Sequence, residues 1–221
     1  MSLYQKYFIK QLLPLFMLAG ITVNSAYAVV LTPNTTTALP GTTSAAEPNL
    51  AGTVVVDDVN PFSFATDGGI VYGSVQVRVV EAVDNTIDFY WRVSNFDNST
   101  ANIAAFRIGD FYTDTYNANY RTDGLGDNAP DYAHMFGDGW GAVNFLFSGD
   151  GLLAGTSSNF FFLDTDATSF AKTALYDLSG LDGISQLFSM YAPKYGVPEP
   201  GSLALLGAGL VGLGWRKKSR Q

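Results

Sequence analysis

Length, composition and charge narrow what this chain of 221 residues can be. Its 20 acidic and 12 basic side chains give a formal charge of −8, and a negative field of this kind repels nucleic acids and anionic lipid surfaces. Cysteine is absent, which excludes disulfides, and the single histidine, His134, leaves too few ligands for a typical transition-metal site.

The N-terminal end has the three parts of a secretory signal peptide. Its basic region, apolar region and A-x-A cleavage site are, in order, Lys6 with Lys10, Leu12–Val23, and Ala26-Tyr27-Ala28. We therefore assign residues 1–28 to a signal peptide and expect signal peptidase of the secretion machinery to cut after Ala28. The mature chain then begins at Val29.

Residues 29–51 are rich in threonine, proline and alanine, and this composition predicts an extended leader to the fold. Residues 52–196 form the predicted domain. Between residues 29 and 196 the chain has 6 basic and 19 acidic side chains, a formal charge of −13, so removing both ends makes the body much more acidic. With no cysteine, its stability has to come from packing and hydrogen bonds.

Strand signals dominate the predicted domain. Apolar residues alternate with polar ones in Ile70–Val83 and Thr86–Asn95, and turns are expected at Asp67-Gly68-Gly69 and Asp84-Asn85. Further strands are predicted from Gly52 and at five other places: Ile103–Phe111, Ala142–Phe147, Phe160–Asp164, Thr173–Leu178 and Ile184–Tyr191. Tyr112–Gly139 is interpreted as a long irregular stretch.

Short strands between turns, without a helical stripe in the body, predict an all-β fold. We expect a single antiparallel β-sandwich, jelly-roll-like, flanked by the signal peptide and a C-terminal short transmembrane helix.

The residues give little basis for catalysis, and we expect no enzyme. His134 lies among aromatic residues, where packing explains it, and no Gly-x-Ser-x-Gly motif is present. A glycoside-active enzyme would need paired carboxylates, but the body has only two glutamates, Glu47 and Glu81. Asp57 and Asp58 are adjacent on the chain, most of the other aspartates lie in predicted turns, and turn chemistry explains them without a substrate.

Two binding functions stay open as alternatives. Calcium could bind to oxygen-rich loops, although no EF-hand pattern is present. The candidate ligands are Asp123, Asp127, Asn128 and Asp131 in one loop, and Asp164 with Asp166 in another. Carbohydrate binding would use exposed rings that stack on sugars, and the candidates are Tyr112, Tyr116, Tyr120, Tyr132 and Trp140. A row of exposed rings on one sheet or groove would favour the second alternative.

The C-terminal end combines three features in a fixed order. A rigid motif, Val197-Pro198-Glu199-Pro200, is followed by an apolar run, Gly201–Trp215, and then by four basic residues, Arg216, Lys217, Lys218 and Arg220. As a helix, the apolar run would be about 22 Å long, shorter than the ~30 Å hydrocarbon core of a bilayer. The basic residues favour a cytoplasmic end.

This tail, residues 197–221, resembles the PEP-CTERM sorting signal of Gram-negative bacteria. The resemblance implies recognition and processing by an exosortase-type membrane enzyme, with the inner membrane as a transient anchor. Family members come mostly from bacteria that make exopolysaccharide or biofilm. Three blocks in the body resemble segments shared by many PEP-CTERM proteins: Asp88–Val93, Tyr120–Gly124 and Phe160–Thr168.

Together these features predict an exported protein delivered to the cell surface or extracellular matrix. We expect a structural or adhesive role in an exopolysaccharide or biofilm matrix, no cofactor, and no nucleic-acid partner. Exopolysaccharide itself is a candidate partner.

Overall fold

The fold is described from a computed structural model that covers residues 27–194, except 138 and 140. It contains twelve β-strands and one 3-10 turn, Pro48–Leu50. The strands in chain order are β1 Val29–Val30, β2 Thr35–Ala38, β3 Thr53–Thr66, β4 Gly69–Glu81, β5 Ile87–Asn95, β6 Ala105–Gly109, β7 Asn117–Tyr120, β8 Tyr132–Met135, β9 Val143–Leu146, β10 Phe161–Asp164, β11 Phe170–Ser179 and β12 Phe188–Pro193.

The strands form two six-stranded antiparallel sheets. Sheet A has the order β1-β7-β10-β5-β4-β3, and sheet B has the order β12-β11-β6-β9-β8-β2. The prediction of an all-β antiparallel sandwich is confirmed. Among the described residues, no helix is long and apolar enough to cross a membrane. The predicted transmembrane run, Gly201–Trp215, and residues 1–26 of the predicted signal peptide lie outside those residues.

The core lies between the two sheets and is built from alternate residues of the strands, as period-2 patterning requires. Trp91 is fully buried at its centre. Its ring packs within 5.7–6.1 Å, centroid to centroid, of four phenylalanine rings: Phe106, Phe111, Phe145 and Phe161.

The β3–β4–β5 meander follows the predicted alternation closely. Its two turns lie where predicted, between β3 and β4 and around Asn85, which has a φ of 68°. β6, β9 and β10 also lie within their predicted ranges. β11 is longer than predicted, and β12 begins at Phe188 rather than Ile184, because Ile184 forms only an isolated bridge with Ser179.

Four short strands lie in segments where the sequence pattern predicted none. β7 and β8 fall inside the stretch predicted to be irregular, and they pair with β10 and β9. β1 and β2 fall inside the predicted leader and form one edge of each sheet. Leu31 and Leu39 from that leader join the main core. Pairing with distant strands holds these segments, since none of them has an alternating pattern long enough to predict a strand.

The leader also covers the outer face of sheet A. A second, smaller apolar cluster forms there, with Ala28 packed against it; it consists of Leu50, Val80, Tyr90, Phe160 and Phe162. The segment is fixed by Gly41, whose backbone N–H donates to Asn119 Oδ1 at 2.8 Å. Residues 29–51 are thus part of the sandwich.

Candidate functional site

The outer face of sheet B carries a row of polar side chains in register across five strands. Their neighbours along each strand point into the core, so alternation places the polar side chains on the opposite face. We call this set the polar row: Thr36, His134, Asn144, Arg107 and Asp177.

The polar row is organised by two side-chain pairs. Arg107 donates from Nε and Nη2 to the two carboxylate oxygens of Asp177, at 2.6 and 2.8 Å. This two-pronged contact is the strong form of an Arg–carboxylate pair, and it raises the pKa of Arg107. At the other end, Thr36 Oγ1 and His134 Nδ1 are 2.8 Å apart. The row is therefore a rigid set of donors and acceptors.

A groove of about 440 Å³ runs beside the polar row. There is open space above Gly109 in this groove, because a Cβ atom added there would have no other heavy atom within 4 Å. Phe136 and Leu187 contribute exposed apolar surface to its lining. Polar groups beside apolar walls in a shallow groove suit an extended ligand that has both hydroxyls and apolar faces.

Three rings lie along β8 and its end, on the same face as the polar row. Tyr132, His134 and Phe136 alternate with the inward-facing Ala133 and Met135. The rings of His134 and Phe136 meet edge to face at 4.5 Å, and Tyr132 and Phe136 are 42% and 38% exposed. Tyr132 and Phe136 are therefore exposed rings on one face of sheet B, and the half-buried His134 lies between them.

The predicted sugar-binding rings divide between surface and core. Tyr132 lies in the row on β8, and Tyr112 is also exposed. Tyr116 is buried and donates to the Phe111 carbonyl at 2.6 Å, and Tyr120 packs against the core. These two rings pack within the fold and do not form part of an exposed row. Trp140 lies outside the described residues. Sequence reasoning missed Phe136 and Arg107, whose positions depend on strand register.

The predicted calcium ligands hold loops together. Asp123 accepts from Arg121 at 2.7 and 2.9 Å, and this pairing lowers the pKa of Asp123 well below its ordinary value. Asp127 accepts from the Ser157 backbone N–H, and Asp131 from that of Ser148. Within the described ranges, no group of three or more His, Asp or Glu side chains is placed to hold a metal ion.

Adjacent carboxylates on the chain do not form a pair. Asp57 contacts Arg78 at 2.9 Å, whereas Asp58 is 3.5 Å from Lys172 of sheet B. Successive residues of a strand point to opposite faces, so these two carboxylates diverge.

The structure instead brings together carboxyl groups that are far apart in sequence. Asp88 and Asp164 lie on neighbouring strands of sheet A, on its outer face. The buried Glu47 lies close by, within residues 41–52, which we call the covering segment. We call Glu47, Asp88 and Asp164 the carboxyl cluster. The sequence gives no signal for it, because the three residues meet only through strand register and the fold of the leader.

Burial dominates the electrostatics of the carboxyl cluster. It raises the pKa of Asp88 to about 8, and the neighbouring Asp164 carboxylate adds to the rise. Burial also raises the pKa of Asp164, while a hydrogen bond from Asp88 favours its charged form. Asp88 therefore holds its proton to a higher pH than an ordinary carboxyl group does, and it donates a hydrogen bond to Asp164. Burial is likewise the main cause of a raised pKa at Glu47.

The sorting and cleavage residues lie mostly beyond the part of the chain that the structure describes. Ala26, Val197, Pro198, Glu199, Pro200 and the basic residues Arg216, Lys217, Lys218 and Arg220 are outside it. Ala28 is inside it, packed against the small cluster on the outer face of sheet A.

Comparison with known proteins gives one match. The family model of the PEP-CTERM protein-sorting motif matches residues 196–218. No curated protein and no solved structure matches the chain. The motif is one that exosortase recognises, and it implies export and transient membrane anchoring. The chain therefore carries the PEP-CTERM sorting motif at its C-terminal end.

Proposed function

We propose that this chain is processed at both ends and remains outside the cell as a structural or adhesive component of a polysaccharide matrix or the cell surface. The observation that carries the proposal is the sorting motif at residues 196–218, behind an acidic domain of 168 residues between Val29 and Gly196. We propose no catalytic activity. Asp88 and Asp164 share a hydrogen bond and Asp88 is buried, whereas glycosidase carboxyls stand ~5–9.5 Å apart around a substrate.

The contact with polysaccharide is best supported on the outer face of sheet B. Sugars present hydroxyls at their edges and C–H groups on their faces, which match the polar row and the exposed rings of Tyr132 and Phe136. Five strands carry the polar row, so the surface is long enough to meet several sugar units in a chain. In this proposal the domain adheres to the matrix by acting as a carbohydrate-binding module.

The charge of the body limits which polysaccharides fit. With a formal charge of −13 over residues 29–196, the domain repels anionic chains. We therefore expect neutral or amino-sugar polysaccharides as ligands.

Mass spectrometry of the exported protein tests the sorting half of the proposal. We expect a mature form that begins at Val29 and ends near Pro200. The variant Glu199→Ala should retain the C-terminal tail and stay with the membrane fraction, whereas the control Glu81→Ala, in the body, should be processed normally. A mature extracellular form with Trp215–Gln221 intact would overturn exosortase sorting.

Affinity electrophoresis in gels containing a neutral polysaccharide tests the binding half. The wild-type domain should be retarded, and Phe136→Ala should lose about tenfold in affinity, or ~1.4 kcal/mol, within the range for loss of one stacking ring. Phe96→Ala is the matched control, because Phe96 is similarly exposed but lies at the end of β5. Equal retardation of both variants would remove the groove from the proposal.

Calcium binding is the second candidate, and a thermal melt decides it. If calcium binds, millimolar calcium added after chelation raises Tm. An unchanged Tm would contradict calcium binding.

A further inference from the structure

The carboxyl cluster lies next to the predicted cleavage site. A cavity of about 350 Å³ opens beside it, and its lining includes Tyr27, Ala28, Glu47, Asn117 and Asp164. Burial of several carboxyl groups at one place is unfavourable unless hydrogen bonds or a cation compensate.

The compensating partners are incomplete. Oε1 of Glu47 and Oδ1 of Asp88 are buried without a hydrogen-bond partner, although the two side chains are 9% and 1% exposed. The cation that acts on Glu47 is Arg121, and its guanidinium is already engaged with both oxygens of Asp123. The cluster has acceptors to spare and lacks a nearby donor with a positive charge.

Signal-peptide cleavage would create such a donor at this position. The backbone N–H of Ala28 lies against the Glu47 carboxylate. Val29 follows directly as the first residue of β1, paired with Ala118 of β7. Consecutive Cα atoms are about 3.8 Å apart, and the nitrogen freed by a cut after Ala28 lies one residue along the chain from the N–H that donates to Glu47. An α-amino group has a pKa of about 7.7–8.0 and is mostly charged at neutral pH.

We propose that the carboxyl cluster is a binding site for a primary ammonium group, and that its occupant is the α-ammonium of Val29 released by signal peptidase. This inference rests on the proposed export. Departure of Tyr27 and Ala28 clears the space between Val29 and Glu47, and Val29 stays in place through its pairing in β1. Glu47 then forms an ion pair with the new N-terminus, and Asp164 supports it from the adjacent strand.

Cleavage also removes two existing contacts, the first of which is the hydrogen bond from the Ala28 backbone N–H to Glu47. Asn119 Nδ2 donates to the Tyr27 carbonyl at 3.1 Å, and this acceptor is lost. The Asn119 side chain remains fixed, because its Oδ1 accepts from the N–H groups of Gly41 and Tyr120. The covering segment can therefore keep its position while the new terminus enters the site.

The pH dependence follows from the sign of the interaction. Carboxylates raise the folded-state pKa of the ammonium above its unfolded value of about 8. Its contribution to stability is complete below that value and is lost as the pH rises through the folded pKa. The titratable or charged groups that act on the site are Glu47, Asp84, Asp88, Tyr90, Arg121, Asp164 and Asp166.

Amine labelling tests the inference. The exported protein is treated with an acylating reagent at pH 7, and the labelling rate at Val29 is followed by mass spectrometry. Only the uncharged amine reacts, so a pKa raised by one unit slows labelling by about tenfold. We expect at least this protection in the wild type, its loss in Glu47→Gln, and its retention in the control Glu81→Gln, since Glu81 is exposed at the end of β4.

A second measurement needs no variant. The labelling rate of the native protein is compared with that of the same protein in urea, and equal rates would overturn the inference even if Glu47→Gln fails to fold. The N-terminal mass separates the two proposals. Cleavage at Ala28 with a freely reactive amine, or cleavage at another bond, overturns only the ammonium site. An uncleaved chain retained in the cytoplasm overturns both.

Discussion

At the scale of single residues, Asp88 lies in an unusual environment for a carboxyl group, because it is almost fully buried. Burial raises its pKa to about 8, from an ordinary value of 3.8. Between about pH 4 and pH 8 the folded state holds a proton that the unfolded state has released. The contribution of Asp88 to the free energy of unfolding is therefore greatest below about pH 4. It is lost as the pH rises through the folded-state pKa.

Asp88→Asn should remove much of this decline. The amide cannot ionise and can still donate to Asp164, so at pH 8 the variant should be more stable than the wild type by on the order of 1–3 kcal/mol, the usual cost of an uncompensated buried group. Urea unfolding across the pH range is the measurement. Asp150→Asn, at an exposed turn, is the control and should keep the wild-type slope. An unchanged slope in Asp88→Asn would contradict the assignment.

Trp91 is the residue on which the core packing depends most. It is fully buried among four phenylalanine rings. Trp91→Ala should lower the free energy of unfolding by ~3–5 kcal/mol, because such a substitution leaves a large cavity. Chemical denaturation measures the loss. Phe96→Ala removes an exposed ring and should stay within about 0.5 kcal/mol of the wild type.

At the scale of elements, the covering segment 41–52 buries part of the outer face of sheet A. It brings Glu47 to the carboxyl cluster and Leu50 to the smaller apolar cluster. Gly41 begins the segment with a φ of 77°, and a Cβ there would lie 2.7 Å from both the Tyr120 ring and the Thr122 methyl. Only glycine fits this position without strain.

Gly41→Ala should therefore destabilise the protein by ~1–3 kcal/mol from the backbone conformation alone, with an added cost from the side-chain contact. Gly149→Ala is a matched control, because Gly149 also has positive φ, at 62°, but open space around the new Cβ. The difference between the two variants in thermal unfolding isolates the contact. Equal losses would show that the segment moves away at little cost.

At the scale of the whole molecule, the charge of the domain is nearly one-sided. Residues 29–196 have 19 acidic and 6 basic side chains. The ion pairs within the described residues are at least partly exposed, and exposed pairs contribute ~0–1 kcal/mol each. Repulsion among the remaining carboxylates should outweigh them.

Added salt should therefore stabilise the domain. Raising NaCl from about 0.01 M to 0.15 M shortens the Debye length from ~30 to ~8 Å and should raise Tm at pH 7. The same series at pH 4, where many carboxylates are protonated, is the control and should give a smaller rise. A fall in Tm at pH 7 would mean that the ion pairs dominate.

Much of this protein follows from local sequence patterns. Alternation in Ile70–Val83 and Thr86–Asn95 predicts the central meander, because a strand with one buried face repeats every two residues. Asp67-Gly68-Gly69 predicts its first turn by the same local chemistry. The sorting tail is also readable, since motif, apolar run and basic end are consecutive.

The side-chain groupings and the short strands that local patterns do not predict depend on strand register in the tertiary structure. Asp88 faces Asp164, and Arg107 faces Asp177, through pairings between strands about 70 residues apart or more. Tyr112 and Tyr116 have similar local surroundings, yet one is exposed and the other is buried. The strands β1, β2, β7 and β8 form for the same reason. Their own sequences alternate too briefly to bury a face, and they become strands because a partner in the assembled sheet satisfies their backbone hydrogen bonds.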